Sequence, residues 1–273
     1  MIPQIVDKLP TFNTYYEPFL GSGGLFFALE PDRAVLSDSN PELINCYRCV
    51  RDHCKSVIKI LNGLRVDEGT YYRVRDKLYH KGDKIRRAAF FIYLNKTCWN
   101  GLYRVNRDGK FNVPVGQLDR INAIFNPGDL ILVSRLLKRV RLRCCDFEEA
   151  MQDAQAGDMV YFDPPYITTH LNNGFIKYNS KLFHQSDELR LAKLAQELAT
   201  EKVSVIVSNA AHPLIKQQYD GLFYKTELQR ASLIAADPRK RAKFAELVVT
   251  SFPLHRYGLK DVTVSRRGEG PSS

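Results

Sequence analysis

Several features that mark other classes of protein are missing from this 273-residue sequence. No stretch approaches the roughly 18 consecutive apolar residues that a membrane span requires. The first residues, MIPQIVDKLP, lack the basic segment followed by an apolar one that marks a secretory signal. Internal repeats are also missing, and a Gly/Ser/Pro/Arg-rich stretch is confined to 263–273, which we expect to be a flexible tail. We therefore expect a soluble, cytoplasmic protein with no membrane partner.

The six cysteines do not form the pattern of a disulfide framework. Two of them, Cys144 and Cys145, are adjacent, and without an export signal we expect reduced thiols. Cys46 and Cys49 form a lone C-x-x-C, and a structural zinc site needs more ligands at suitable spacing than this segment offers. We predict no metal site.

Apolar and basic residues are abundant. Apolar residues make up 44% of the chain and aromatic residues 11%, which excludes general disorder and predicts one or two folded domains. Forty Lys and Arg against thirty Asp and Glu give a formal net charge of +10. Such a charge favours polyanionic partners, of which nucleic acid is the commonest. The alternative is a basic surface that serves only solubility.

The pattern of a nucleotide-binding βαβ unit lies near the N-terminus. Residues 14–30, TYYEPFLGSGGLFFALE, combine a short aromatic strand, a glycine turn and an apolar helix start, and AVLSDSN at 34–40 is a second strand that leads to Asp38. An acid in that position can accept hydrogen bonds from ribose hydroxyls. The turn lacks the full G-x-G-x-x-G spacing, so a pyrophosphate ligand is not favoured, and an ordinary turn before a helix is the alternative.

The remaining pattern predicts one parallel-rich α/β domain with an insertion. Residues 41–95 have helical periodicity, whereas 97–117 contain short β-type stretches with a tight turn at RDGK. After residue 135, predicted strands resume, with one predicted helix among them. The strands are predicted at RVRLRCCDF, DMVYF, VSVIVSNA and AELVVTSF, and the helix at DELRLAKLAQELATE.

The most specific chemistry lies in Asp163-Pro164-Pro165-Tyr166, directly after the apolar strand MVYF. Consecutive prolines remove two backbone donors and stiffen the exit from the strand. They fix the direction of a carboxylate, of backbone carbonyls and of an aromatic ring. This set suits a planar heteroaromatic ligand with an exocyclic amine, which the acceptors and the ring would hold. An Asp-Pro turn with a core tyrosine is the alternative.

Together, EPFLGSGG, LSDSN, YLNKTCWNGLYRVNRDGKFNVPVGQ, CCDF and DPPY resemble the Dam-type (D12 class) DNA adenine-N6 methyltransferases, in order from about Tyr16 to Phe252. The resemblance implies an α/β, Rossmann-like S-adenosylmethionine-dependent methyltransferase sheet with an inserted helical and β-hairpin target-recognition domain. It implies a catalytic domain at 1–54 and 136–262, and a DNA target-recognition domain at 55–135.

The same resemblance implies roles for individual residues, with no metal. Asp163, Pro164, Pro165 and Tyr166 are the expected catalytic residues. The expected S-adenosylmethionine-binding residues are Glu17, Phe19, Gly21, Gly23, Asp38, Asp146, Phe147 and Asp163. The expected DNA-binding residues are Trp99, Asn100, Leu102, Arg104, Asn106 and Pro114. These DNA roles agree with chemistry, because arginine forks onto guanine O6 and N7 while leucine and proline can contact a thymine methyl.

The expected function is transfer of a methyl group from S-adenosylmethionine to N6 of a flipped adenine in double-stranded DNA, with GATC as a candidate site. We expect a monomer in a bacterial or phage-infected cell, associated with DNA and with restriction-modification. An N-methyltransferase acting on RNA or protein is the alternative within enzymes, since DPPY-like tetrapeptides occur there too.

A second alternative is a DNA-binding protein of this fold without activity. Family members usually carry a W-A-G-G-K-like segment that helps bind the methionine end of the cofactor, and the sequence starts at Met1 without it. Leu118 is a smaller departure, since an aromatic residue that contacts DNA can occur there.

Overall fold

The computed structural model describes residues 5–165, 183–231 and 243–254. The chain forms two compact units, one from Met1–Ser37 and Cys145–Ser273 and the other from Asp38–Cys144. The second unit therefore contains the whole of the segment 55–135, for which a target-recognition domain is predicted. Along the described parts of the chain, no helix is both long enough and apolar enough to cross a membrane.

Strands and helices alternate as the sequence pattern predicts. The strands are β1 (Tyr15–Glu17), β2 (Ala34–Ser37), β3 (Val140–Arg143), β4 (Met159–Phe162), β5 (Ser204–Ala210), β6 (Tyr224–Ala231) and β7 (Lys243–Thr250). The α-helices are α1 (Gly24–Leu29), α2 (Pro41–Asn62), α3 (Glu68–Arg73), α4 (Lys84–Thr97), α5 (Pro127–Leu137), α6 (Phe147–Ala150), α7 (Gln185–Thr200) and α8 (Pro213–Gln218). The helices α5, α6 and α8 and the strand β6 were not predicted from the sequence. The predicted strand RVRLRCCDF ends at Arg143, and its last residue, Phe147, is instead the first residue of α6.

The six strands of the first unit form a mixed sheet in the order β2-β1-β4-β5-β7-β6. The strands β2, β1, β4 and β5 are parallel, with Tyr15 opposite both Ala34 and Met159, and Met159 opposite Ser204. The last two strands, β7 and β6, run antiparallel. The predicted α/β class with a parallel-rich sheet is confirmed. In such a sheet, the carboxyl ends of the parallel strands meet at one edge, where ligands bind.

The central strands are short apolar runs because both of their faces are covered. Every residue of β1, β2 and β4 is buried, which is typical of parallel strands between helical layers. The amphipathic helix α7 buries Leu191, Ala192, Ala195 and Leu198 in the same core as Val160 and Val205 of the sheet. Burial on both sides makes the strand ends rigid points from which site residues can project.

The second unit combines a helical part with the predicted hairpin. The long helix α2 begins with Pro41, and the side chain of Asn40 caps it by accepting hydrogen bonds from two backbone amides. The hairpin is marked by an antiparallel bridge between Val105 and Phe111. Its turn is closed by the Asn106 amide, which donates to the carbonyl of Lys110 at 2.8 Å. The RDGK segment thus forms the tight turn that its sequence predicts.

Candidate active site

A glycine turn connects the end of β1 to α1 in the first unit. Gly21 and Gly23 have φ values of 47° and 68°, in the left-handed region that favours glycine. Gly23 is also the N-cap of α1, and its amide donates to the carbonyl of Leu20 at 2.7 Å. Gly21 is exposed, and among the described residues a Cβ added to it would approach only the Phe19 carbonyl oxygen, at 4.0 Å. The positive φ at both glycines lets the chain turn tightly between β1 and α1.

Glu17, the last residue of β1, is a carboxyl group buried beneath this turn. Its side chain is only 2% exposed. One oxygen, Oε2, accepts hydrogen bonds from the Tyr15 hydroxyl at 2.7 Å and from the Phe26 amide at 3.2 Å. Burial and, to a smaller extent, the nearby Asp163 carboxylate raise the pKa of Glu17 to about 8, although the two hydrogen bonds oppose the shift. The site thus contains an acid that is largely protonated at neutral pH.

Asp163 lies directly after β4, beside the end of β1. The parallel pairing of these strands sets Tyr16 opposite Val160, so their carboxyl ends lie at the same edge. The influence of the Asp163 carboxylate on the pKa values of both Tyr15 and Glu17 agrees with this proximity. Asp163 is exposed, whereas the following Pro164 is buried. An exposed carboxylate is therefore held on a fixed backbone next to the glycine turn.

The other predicted residues of the tetrapeptide differ in what can be said of them. Pro165 is exposed beside the buried Pro164. Tyr166 lies outside the described residues, so its predicted stacking role stays a prediction.

Asp38 follows the last residue of β2 and belongs to the second unit, where its carboxylate accepts a hydrogen bond from the Asn40 amide at 2.9 Å. Its predicted ribose contact also stays a prediction.

Three phenylalanines from separate parts of the first unit cluster around Phe19. The Phe19 ring stacks on Phe147 with centroids 5.4 Å apart. It meets Phe162 and Phe183 edge to face, at 6.3 and 5.6 Å. Phe19 is partly exposed, whereas the other three are buried. The structure thus brings together two predicted cofactor-binding residues, Phe19 and Phe147, on an apolar base that also contains the residue preceding Asp163.

Asp146, another of the predicted cofactor-binding residues, caps α6. Its Oδ1 accepts a hydrogen bond from the Glu148 amide at 3.0 Å. The same oxygen receives one from Arg190 of α7 at 2.8 Å. Arg190 was missed by sequence analysis, because it lies in an amphipathic helix with no motif around it.

The strand β5 pairs with β4 on the side opposite β1, and buried polar side chains lie near its carboxyl end. Val207 pairs with Phe162, so the next residue, Ser208, is level with Asp163. The Asn209 side chain donates to Glu188 of α7 at 2.6 Å, and Glu188 is fully buried. Burial raises the pKa of Glu188, while the bond from Asn209 opposes the shift. Sequence analysis did not predict Glu188, since a glutamate in a helix has no signal of burial.

In the second unit, the structure brings Trp99 and Pro114 together. The Trp99 amide donates to the Pro114 carbonyl at 3.0 Å. The Trp99 ring is 42% exposed, unusual for the single tryptophan of a folded chain, and Pro114 is exposed as well. Asn100 has a φ of 53°, which asparagine tolerates better than most residues. Non-glycine residues in the left-handed region cluster at functional sites, and here one directly follows an exposed aromatic residue.

Arg104 and Asn106 have partners within the hairpin. The Arg104 guanidinium donates to the Asn112 side-chain oxygen at 2.8 Å and to the Asn112 carbonyl at 3.1 Å. The Asn106 side-chain oxygen accepts from the amides of Asp108 and Lys110, at 3.0 and 2.9 Å. The oxygen of Asn106 is thus used to shape the turn. Leu102, the remaining predicted contact, is partly exposed.

Gly116 is required by a close backbone approach at the base of the hairpin. A Cβ at this position would lie 2.5 Å from the carbonyl oxygen of Cys98. We expect Gly116→Ala to lower the free energy of unfolding by about 1–3 kcal/mol, because backbone must move to admit the methyl group. Urea unfolding measures this difference.

The matched control is Gly63→Ala, where the added Cβ would lie at an ordinary 3.4 Å from the Ile60 carbonyl oxygen and φ is −85°. We expect it to change the free energy of unfolding by less than about 1 kcal/mol. Equal effects of the two substitutions would contradict the importance of the Gly116 contact.

The sequence profile of the D12 class N6 adenine-specific DNA methyltransferases matches residues 1–232. The chain belongs to this family. The prediction of an enzyme, a DNA adenine-N6 methyltransferase, is thereby confirmed. The alternatives of an RNA or protein methyltransferase and of an inactive DNA-binding protein are not favoured.

Full-length relatives carry names consistent with this D12 membership. The type II methyltransferase M1.LlaDCHI of Lactococcus lactis subsp. cremoris is 36% identical over 263 residues, covering 92% of this chain and 91% of the relative. The type II methyltransferase M.MjaIII of Methanocaldococcus jannaschii is 34% identical, with 92% and 95% covered. The DNA adenine methylase of Serratia marcescens is 31% identical, with 91% and 93% covered.

Proposed function

We propose that this D12 methyltransferase transfers the methyl group of S-adenosylmethionine to N6 of an adenine turned out of duplex DNA, within a short specific sequence. The observation that carries the proposal is the exposed carboxylate of Asp163, fixed on the stiff exit of β4 at the same sheet edge as the glycine turn after β1. GATC is the first recognition sequence to test.

The residues around the glycine turn fit S-adenosylmethionine. Gly21 is exposed and has no side chain, so a ligand can approach its backbone closely. The partly exposed Phe19 and the buried Phe147 offer an apolar surface for its adenine. Asp146 offers Oδ2, which has no hydrogen-bond donor among the described residues, to the exocyclic amine. When bound, S-adenosylmethionine supplies an electrophilic methyl group on its sulfonium.

Asp163 and the carbonyl of Pro164 would act on the target amine. The N6 lone pair of adenine is delocalised into the ring, which makes it a poor nucleophile. Two acceptors, one for each N–H bond, favour a pyramidal nitrogen and thereby localise the lone pair. Positioning then contributes most of the rate acceleration. The proton released from N6 leaves to Asp163 or to solvent.

The second unit would hold and read the DNA. The net charge of +10 favours binding to the phosphate backbone. Turning the adenine out of the stack costs a few kcal/mol. The exposed Trp99 ring can fill the gap or stack against the displaced base, as aromatic side chains do at such sites. The hairpin residues Arg104 and Pro114 would contact base edges.

The direct test is transfer of labelled methyl groups to short DNA duplexes by the full chain. We expect incorporation into a GATC duplex and none when both adenines are already N6-methylated. Sequencing of modified bases in DNA from an expressing host then gives the recognition sequence. Labelling of another sequence would refute GATC alone, whereas labelling of cytosine, RNA or protein would refute adenine as the target.

Arg104→Ala should relax the sequence preference. Arginine bonded to guanine provides about 1–3 kcal/mol of discrimination per base pair, so we expect about 10- to 100-fold less discrimination at one position of the site. The measurement compares kcat/KM for duplexes that differ by a single base pair. Arg107→Ala, at the exposed tip of the same hairpin, is the control and should weaken all duplexes equally. Unchanged discrimination in the Arg104 variant would remove this residue from base reading.

A further inference from the structure

A single guanidinium, that of Arg190 on α7, bonds three carboxylates of the first unit. It lies 2.8 Å from Asp146, 2.6 Å from Glu148 and 2.9 Å from Asp187. A further bond from its Nε reaches Glu148 at 3.2 Å, so this pair is bidentate. These contacts join the first turn of α7 to the cap of α6, across more than 35 residues of sequence.

The same guanidinium covers the aromatic ring next to Asp146. The Arg190 Cζ atom lies 4.8 Å from the centroid of Phe147, within the range of a cation–π contact. Phe147 also stacks on Phe19 at 5.4 Å. Arg190 therefore contacts Asp146 and Phe147, two of the residues proposed to hold the cofactor's adenine. It lies outside the CCDF motif that contains them.

The distribution of bonds on Asp146 indicates what this arrangement does. Oδ1 accepts from both the Glu148 amide and Arg190, which fixes the rotation of the carboxylate. Within the described part of the chain, no donor reaches Oδ2. One oxygen is thus held by the protein and the other is left to accept a bond from a ligand.

Lysine could not replace this function. Arg190 uses all three of its nitrogens on different carboxylate oxygens while its planar group faces a ring. A planar fork can do this, whereas an ammonium is a point charge with no flat face. A simple exposed ion pair, by contrast, needs only charge and contributes little.

We propose that Arg190 is a positioning residue that orients Asp146 to recognise the exocyclic amine of the cofactor's adenine. This inference rests on the proposed use of S-adenosylmethionine. Without the guanidinium, Asp146, Glu148 and Asp187 would repel one another, and the Asp146 carboxylate would lose its fixed rotation. Selectivity for the exocyclic amine would then fall, while the reacting groups near Asp163 would stay intact.

The test is isothermal titration of the full chain with S-adenosylhomocysteine and with its analogue in which purine replaces adenine. In the native protein, we expect the analogue to bind about tenfold more weakly, because its ring offers no amine to Asp146. In Arg190→Met, the affinity for S-adenosylhomocysteine should fall about tenfold, while the affinity for the analogue should change less than about twofold. The two ligands should then bind equally well.

Two further variants complete the design. Arg190→Lys keeps the charge and should retain only part of the native preference for S-adenosylhomocysteine over the purine analogue. If the Met variant does not fold, the two ligands are compared in the Lys variant instead. Lys193→Met removes an exposed cation from the same helix, where it pairs with Glu197, and should change neither affinity. In steady-state assays, the Arg190 variants should raise KM for S-adenosylmethionine and leave kcat within about twofold.

Different results overturn different statements. If native protein binds S-adenosylhomocysteine and the Arg190 variants weaken both ligands equally, or weaken neither, then Arg190 has only a structural role. If native protein binds neither ligand, the proposed methyl donor is wrong, and the inference about Arg190 fails with it.

Discussion

Asp163→Ala is expected to reduce methyl transfer by at least about 10²–10³-fold, the effect of removing one hydrogen-bonding group from a transition state. The carboxylate is exposed at the end of β4, so its removal leaves no buried cavity. DNA affinity should stay within about twofold, because the phosphate contacts lie elsewhere. Single-turnover transfer and a gel-shift assay on the same duplex measure the two effects.

Two controls separate the role of this carboxylate from a general charge effect. Asp163→Asn keeps one acceptor oxygen and should retain more activity than the alanine variant. Asp220→Ala removes an exposed aspartate of the same unit, paired with Lys225, and should leave transfer unchanged. Transfer at the native rate by Asp163→Ala would show that the acceptor has been assigned to the wrong residue.

Glu17→Gln is expected to remove much of the pH dependence of stability between pH 4.5 and 8. The pKa of this buried carboxyl is raised from its ordinary 4.5 to about 8, so the folded protein holds the proton more tightly than the unfolded chain. The stabilising contribution is complete below pH 4.5 and is lost as the pH rises toward 8. The loss amounts to about 1.4 kcal/mol for each pH unit, up to ~5 kcal/mol in total.

Urea unfolding of the native and glutamine proteins at intervals from pH 4.5 to 9 tests this prediction. The difference between the two free energies of unfolding should fall with rising pH up to about pH 8 and then become constant. Asp163→Asn in the native background should make the fall smaller, because the nearby carboxylate contributes to the raised pKa of Glu17. A difference that does not change with pH would show that Glu17 is ionised in the folded protein.

The fold was predictable where the signal is local. Apolar runs such as MVYF and VSVIVSNA form buried strands, and the glycine turn follows β1 as expected. The strand β6 was missed because YKTELQRA has no apolar run, and its place beside β7 comes from pairing rather than from its own composition. The helix α8, six residues long, was equally hard to recognise.

The candidate site was predictable in part, for a similar reason. The order of the motifs indicated which residues meet at the carboxyl edge of the sheet, and the structure does bring Glu17 and Asp163 near each other. The sequence did not indicate that Glu17 would be buried. Nor did it indicate that Arg104 would donate a hydrogen bond to Asn112, or Arg190 to Asp146. These partners come from other elements or from the opposite side of a turn.

Taken alone, the sequence determined the family and the type of sheet, because motifs and apolar runs are properties of neighbouring residues. The tertiary structure alone decided the protonation of Glu17 and the network around Arg190. Both depend on desolvation and on contacts between α7, α6 and the sheet, and such contacts exist only once distant segments have packed together.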